Sequence, residues 1–128
     1  MIDCLIIGDS IAVGIGMHQK QCVTQAVSGY TSARWNNQFK ANPKATNVII
    51  SLGTNDLGIN TYIELRQLRE RISARDVKWI VPPIADAQAA VLAVANEYKD
   101  VLVYIKELSG DKIHPTQKEY KQLGEQIK

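Results

Sequence analysis

This chain of 128 residues has few aromatic side chains and no long hydrophobic run. Its net charge is also small. The sequence contains no stretch of 18 apolar residues, so it predicts no membrane span and no membrane partner. The net charge at pH 7 is +2, which is too weak to predict a nucleic-acid partner. The composition is 45% hydrophobic and 22% charged, as in ordinary globular proteins. The length predicts a single domain over residues 1–128.

Cysteine is scarce too, with one residue in the first apolar run and one near the start of the second. The spacing of Cys4 and Cys22 fits no metal site, and the sequence predicts no metal and no cofactor. A glycine-rich phosphate loop and a dinucleotide fingerprint are also absent. The favoured interpretation is a pair of reduced, partly buried thiols. A disulfide remains possible if the two strands are neighbours with suitable geometry.

The N-terminal sequence shows no basic segment followed by an apolar run and a cleavage site. A cytoplasmic location is therefore the default expectation, although a trimmed secreted protein would look the same. The sequence does not determine the oligomeric state.

Short, β-branched apolar runs recur at even spacing and alternate with amphipathic segments. Most runs are nearly continuous, which is typical of strands covered on both faces. The alternation predicts a three-layer α/β/α domain with a five-stranded parallel sheet. Predicted helix starts are a Thr61–Glu64 capping box, Asp86 as N-cap and Pro115 as first helical residue. The predicted strands are 2–8, 21–27, 46–53, 77–84 and 101–107; the predicted helices are 32–41, 61–74, 86–99 and 115–127, with 11–19 a further candidate that Gly14 and Gly16 disfavour.

Polar residues follow the predicted strands, at the sheet edge where parallel α/β proteins bind ligands. The segment "GDS" at 8–10 places Ser10 directly after the first strand. Ser10 is a candidate nucleophile for acyl transfer. The commoner alternative for a hydroxyl or acid here is a helix start, which either Asp9 or Ser10 could provide.

A second segment, "DKIH" at 111–114, follows the fifth predicted strand. The three-residue spacing lets one short loop present both Asp111 and His114 to the same pocket. Asp111 could then fix the tautomer of His114, whose other nitrogen would face a hydroxyl. The alternative is a surface loop whose histidine merely precedes a helix.

Two further segments could supply hydrogen-bond donors to a developing oxyanion. The side-chain amide of Asn55, in "GTND", is one candidate, and the backbone N–H of Gly29, in "SGYTS", is another. With the backbone N–H of Ser10 these would make three donors. Both segments could equally be ordinary turns, and Asp56 could support its loop without taking part in catalysis.

Asp9, Tyr30 and Trp35 are candidate substrate contacts because they lie next to these segments. Tyr30, Arg34 and Trp35 follow Gly29 closely and could border a pocket. An aromatic ring there could stack on a sugar. A tryptophan at the start of a helix more often packs on the core.

Four segments, "GDS", "SGYTS", "GTND" and "DKIH", resemble the four motif blocks of the SGNH hydrolase family, also called GDSL esterases. They occur in the same order and at the same structural places. The resemblance covers residues 5–127 and is especially close in "DKIHPTQKEYKQLGEQI". It implies a flavodoxin-like sheet and a serine esterase. In that family's scheme Ser10 is the nucleophile, His114 is the base and Asp111 orients it. Gly29, Asn55 and the Ser10 amide then form the oxyanion hole.

The chain is short for such an enzyme, with tight loops between the fourth strand and the final block. Little material remains for a lid or an acyl tunnel, which favours a small acyl group such as acetyl, with a carbohydrate as the candidate carrier. One alternative is a thioesterase, lysophospholipase or acyltransferase with the same machinery. A second alternative is a non-catalytic binding or structural module that keeps the fold.

Overall fold

Five parallel strands form one sheet in the computed structural model, which describes residues 2–127. The strands are β1 (Ile2–Gly8), β2 (Val23–Ala26), β3 (Ala45–Ser51), β4 (Asp76–Val81) and β5 (Val101–Tyr104). Their order in the sheet is β2-β1-β3-β4-β5, the flavodoxin-like arrangement. The predicted fold class is therefore confirmed, while the outermost residues of the predicted domain 1–128 lie outside the described range.

Helices cover both faces of the sheet, because residues that alternate along each strand point to opposite sides. The helices are α1 (Ser10–Gly16), α2 (Ser32–Gln38), α3 (Thr61–Arg71), α4 (Ala85–Tyr98) and α5 (Gln117–Gln126). On one face Leu5 and Ile7 pack with α2, α3 and α4; on the other, Ile6 packs with α1 and α5. Among residues 2–127, no helix combines the length and apolar character needed to cross a bilayer.

The roles predicted for residues at three helix starts are wrong, although α3 begins at Thr61 as predicted. Asn60 occupies the N-cap of α3, and the Thr61 hydroxyl instead donates to the Gly58 carbonyl at 3.3 Å. Ile84 holds the N-cap of α4, so Asp86 lies inside the helix. Pro115 lies two residues before α5. Thr116 caps that helix by accepting a hydrogen bond from the Glu119 N–H at 3.1 Å.

The two cysteines form a disulfide, and the interpretation as reduced thiols is wrong. β2 lies directly beside β1, with Leu5 opposite Val23, so the condition that the strands be neighbours is met. The Cα atoms of Cys4 and Cys22 are 4.6 Å apart, within the range that the bond requires. The bond closes a covalent ring that contains Ser10 and all of α1.

Candidate active site

The turn after β1 brings the backbone of one strand against the next. Gly8 has φ +148°, and a Cβ at this position would lie 1.9 Å from the Ser51 carbonyl oxygen. Only glycine fits such a contact. Its neighbour Asp9 donates its N–H to the same carbonyl at 3.0 Å. The end of β1 is thus fixed to the end of β3, immediately before Ser10 begins α1.

Asp9 is the N-cap of α1, and it is completely buried. Its Oδ1 accepts hydrogen bonds from the Ile11 N–H at 3.1 Å and the Ser51 hydroxyl at 3.2 Å. Burial raises the pKa of this carboxyl from 3.8 to about 6, because the charged form loses its hydration. The alternative that Asp9 starts a helix is therefore confirmed. Its expected contact with substrate is wrong, since no part of the residue reaches the surface.

Ser10, His114 and Asp111 form a hydrogen-bonded row at the carboxyl edge of the sheet. The Ser10 hydroxyl lies 2.9 Å from Nε2 of His114, and Nδ1 of His114 lies 2.6 Å from Oδ2 of Asp111. The carboxylate therefore holds the proton on Nδ1, which leaves Nε2 free to accept the proton of Ser10. The side chains of His114 and Asp111 are 42% and 48% exposed, so the row opens to solvent.

A short closed loop carries both Asp111 and His114. Its ends meet in an antiparallel bridge between Leu108 and Pro115. The His114 carbonyl accepts hydrogen bonds from both the N–H and the hydroxyl of Ser109, at 2.7 and 2.9 Å. Lys112 completes the turn in a left-handed conformation with φ +58°.

Asp111 is held by several donors of the same loop. Its Oδ1 accepts hydrogen bonds at 2.9 Å from the Ser109 hydroxyl and from the backbone N–H groups of Ile113 and His114. The His114 side chain contributes most to lowering the pKa of this carboxyl, and these donors add to it. Asp111 is therefore a carboxylate throughout the neutral pH range.

Two loops beside the row are joined by hydrogen bonds. Nδ2 of Asn55 donates to the Tyr30 carbonyl at 3.1 Å, and Oδ1 of Asp56 accepts from the Ser32 N–H at 2.9 Å. Asp56 thus supports the loop, as the sequence suggested. Gly29 has φ +85°, and a Cβ there would meet nothing within 4 Å. The conformation, and not crowding, accounts for glycine at this position.

The two aromatic candidates differ in their surroundings. Trp35 is fully buried, stacks on Phe39 with ring centroids 4.7 Å apart and donates its Nε1–H to the Gln25 carbonyl at 2.8 Å. Its expected substrate contact is wrong, and the core-packing alternative applies. Tyr30 is half-buried, and the guanidinium carbon of Arg34 lies 4.7 Å from the centroid of its ring.

Sequence reasoning missed two supporting serines. Ser51 ends β3 directly opposite Gly8, and Ser109 binds both ends of the Asp111–His114 segment. Ser51 could have been found from the strand register, and Ser109 from its position two residues before Asp111. Among residues 2–127, no cluster of three His, Cys, Asp or Glu side chains could hold a metal ion.

Comparison with known proteins supports the fold. No protein-family model matches the chain, and no curated protein sequence matches it significantly. Its structure is similar to that of a Bacteroides fragilis protein described as a "putative acylhydrolase", with a TM-score of 0.72 and 18% sequence identity. The match covers 98% of this chain and 84% of the other. At this identity the likeness establishes a shared three-layer fold.

Proposed function

We propose that this protein is a serine esterase that uses Ser10, His114 and Asp111. The observation that carries the proposal is the hydrogen-bonded row in which His114 contacts Ser10 through Nε2 and Asp111 through Nδ1. Acyl transfer needs this order of nucleophile, base and orienting group. A fold match to a protein described as an acylhydrolase is consistent with it.

In the proposed mechanism His114 removes the proton of Ser10 while the serine oxygen attacks the ester carbonyl. The charge of Asp111 stabilises the resulting imidazolium. His114 then passes the proton to the departing alcohol, which leaves an acyl group on Ser10. Water, deprotonated by the same Nε2, hydrolyses this acyl-enzyme and restores the serine.

The oxyanion of each tetrahedral intermediate would be bound by three N–H donors. The backbone N–H groups of Ser10 and Gly29 donate to no other described residue. Asn55 uses one N–H of its amide on the Tyr30 carbonyl, and the second remains for the oxyanion. The bond to Tyr30 fixes the orientation of this amide before substrate arrives, which is the preorganisation that such catalysis requires.

The proposed substrate is a short-chain ester, such as an acetyl ester on a carbohydrate. The exposure of His114 and Asp111 supports an ester that approaches from solvent. A Cβ at Gly29 would meet nothing within 4 Å, so this side of the site is open as well.

Covalent labelling tests the proposal directly. A fluorophosphonate probe reacts with an activated serine, so the wild-type protein should be labelled and Ser10→Ala should not. Ser73, an exposed serine at the opposite end of the sheet, supplies the matched control Ser73→Ala, which should label normally. An unlabelled wild-type protein would contradict the esterase and favour the non-catalytic module.

We also propose an oxidising compartment as the place of action. The Cys4–Cys22 disulfide supports it, because such bonds persist outside the reducing cytosol. This replaces the cytoplasmic default. Thiol titration of protein isolated from its host under alkylating conditions tests the point, and two free thiols would contradict it.

A further inference from the structure

The five arginines of the chain differ in how they use their guanidinium groups. Arg66 pairs with Glu70 and Glu97, Arg69 with Asp100 and Arg75 with Asp76. Arg71 donates to two asparagine side chains and two backbone carbonyls. The guanidinium of Arg34 alone has neither an ion pair nor a hydrogen bond with another residue in 2–127; its carbon lies 4.7 Å from the centroid of the Tyr30 ring.

This unpaired arginine lies beside the candidate oxyanion donors. Tyr30 directly follows Gly29, and its carbonyl accepts the hydrogen bond from Asn55. Thr31, the next residue, caps α2 by accepting a hydrogen bond from the Arg34 N–H at 3.1 Å. One turn of chain thus holds the Tyr30–Arg34 pair in fixed relation to Gly29 and Asn55.

The position of the guanidinium leaves its hydrogen-bond donors available. Its carbon lies over the Tyr30 ring, 4.7 Å from the centroid, and none of its N–H groups donates to another residue in 2–127, so they remain for other acceptors. Nearby carboxylates already have other partners: Asp56 accepts from the Ser32 N–H, and Glu64 from the Asn36 amide. A planar fork of N–H donors matches the oxygens of a carboxylate, phosphate or sulfate group.

We propose that the Tyr30–Arg34 pair is an anion-binding subsite, and that the ester substrate carries a carboxylate, phosphate or sulfate group. The proposal rests on the esterase function proposed above. Arg34 binds the anionic group while Ser10 attacks the ester carbonyl. The anion can belong to the alcohol part of the ester or to its acyl part, and both sources present the same oxygens to the guanidinium.

Two matched pairs of esters distinguish these sources. 4-Acetoxybenzoate and 4-acetoxybenzamide differ by a charge on the alcohol part. Mono-4-nitrophenyl succinate and 4-nitrophenyl succinamate differ by a charge on the acyl part. We expect the wild-type protein to prefer the anionic member of one pair roughly tenfold in kcat/KM, mainly through a lower KM. Because the contact is exposed, 1 M salt should weaken the preference.

Three variants assign the preference to Arg34. Arg34→Gln should abolish it, and Arg34→Lys, which keeps the charge but loses the planar fork, should restore part of it. The matched control is Arg75→Gln, which removes another exposed arginine at the amino end of β4, at the opposite end of the sheet from the candidate site. That control should keep the full preference.

The outcomes separate this proposal from the esterase itself. If the wild-type protein hydrolyses no member of either pair, the esterase proposal fails. If it hydrolyses the neutral and anionic members of both pairs equally well, the esterase stands and the subsite is overturned. A preference that survives Arg34→Gln, or that falls equally in Arg75→Gln, also overturns the subsite.

Discussion

The Ser10 hydroxyl and Nε2 of His114 lie 2.9 Å apart although 104 positions separate them in the chain. The contact exists because β1 lies inside the sheet, between β2 and β3, and the loop after β5 leads into α5, which packs on the same face of the sheet as α1. Tyr120 of α5 packs against Gly14 of α1, on the same helix that Ser10 begins. The placement of Ser10 and His114 therefore depends on the packing of two helices on one face.

Removal of the Ser10 hydroxyl should abolish ester hydrolysis. Ser10→Ala should lower kcat on 4-nitrophenyl acetate by about 10³-fold or more, because nucleophile and base act as a unit. Steady-state kinetics on protein with an unchanged circular dichroism spectrum measures the effect. A folded Ser10→Ala variant with near-normal kcat would exclude Ser10 as nucleophile.

Asn55 should act mainly in the transition state. Asn55→Ala should lower kcat roughly 10²-fold with little change in KM, because an oxyanion donor is lost. Asn55→Asp should do at least as much damage, since an ionised carboxylate offers no donor to the oxyanion or to the Tyr30 carbonyl.

Asn60→Asp is the matched control for Asn55→Asp. It adds the same charge to the same loop, and Asn60 makes no capping hydrogen bond with its side chain. Near-normal kcat in Asn55→Asp would assign Asn55 to the turn alone and leave the Gly29 and Ser10 amides as donors.

The disulfide should contribute measurably to the free energy of unfolding. Cys4 and Cys22 are 18 positions apart, and closing a ring of that size corresponds to about 3 kcal/mol in the chain-entropy account. The Cys4→Ser/Cys22→Ser double variant should show this loss in urea unfolding. Reductant should destabilise the wild-type protein by the same amount and leave the double variant unchanged. An identical midpoint for oxidised and reduced wild-type protein would contradict the prediction.

Asp9 should make the fold less stable as pH rises from about 4 to about 6. Its pKa is 3.8 without burial and about 6 in the folded protein, so the folded state binds more protons within this window. The stability that Asp9 contributes is therefore greatest below the lower pKa. It falls between the two pKa values and is lost above the higher one. The gap of about 2 pKa units corresponds to ~3 kcal/mol.

The variant Asp9→Asn isolates this effect. Its amide oxygen can still accept from Ile11 and Ser51, but it does not titrate. The difference in unfolding free energy between wild type and variant should change across pH 4–6, while the contributions of other carboxyls cancel. Asp111, whose pKa is lowered, acts in the opposite direction, and its stabilising effect is lost below about pH 4. If the difference in unfolding free energy does not change with pH, the pKa of Asp9 is not raised in the folded protein.

Acetyl esters should be better substrates than octanoyl esters. The apolar side chains beside the site, Leu57 and Ile59, are 101% and 94% exposed and form no enclosed wall. A longer acyl chain would gain little of the ~0.8 kcal/mol that burial of each methylene provides. A panel of 4-nitrophenyl esters from two to eight carbons measures kcat/KM, and a steady rise with length would contradict the prediction.

The sequence predicted the order of elements and the residues that meet at the carboxyl edge of the sheet. Both follow from local patterns: apolar runs mark the strands, and the ends of parallel strands lie together. The Cys4–Cys22 bond was not predictable in this way, because it depends on β2 lying beside β1 in a particular register. Register is a property of the assembled sheet.

The burial of Trp35 and the isolation of Arg34 also required the structure. Both residues lie on α2, one position apart, and the rotation of this short helix decides which one faces the core. Its sequence is too short to show an apolar stripe. The fixed orientation of Asn55 likewise depends on a backbone carbonyl in a different loop, which no side-chain pattern reveals.

The exposure of the His114 imidazole has a consequence for turnover. The side chain of His114 is 42% exposed to solvent. In the proposed cycle the imidazole takes a proton from Ser10 and gives it to the departing alcohol, then takes one from water and gives it back to Ser10. The alcohol and the water can therefore exchange with solvent directly at the imidazole, without a channel through the protein, and the base returns to its starting charge at the end of each cycle.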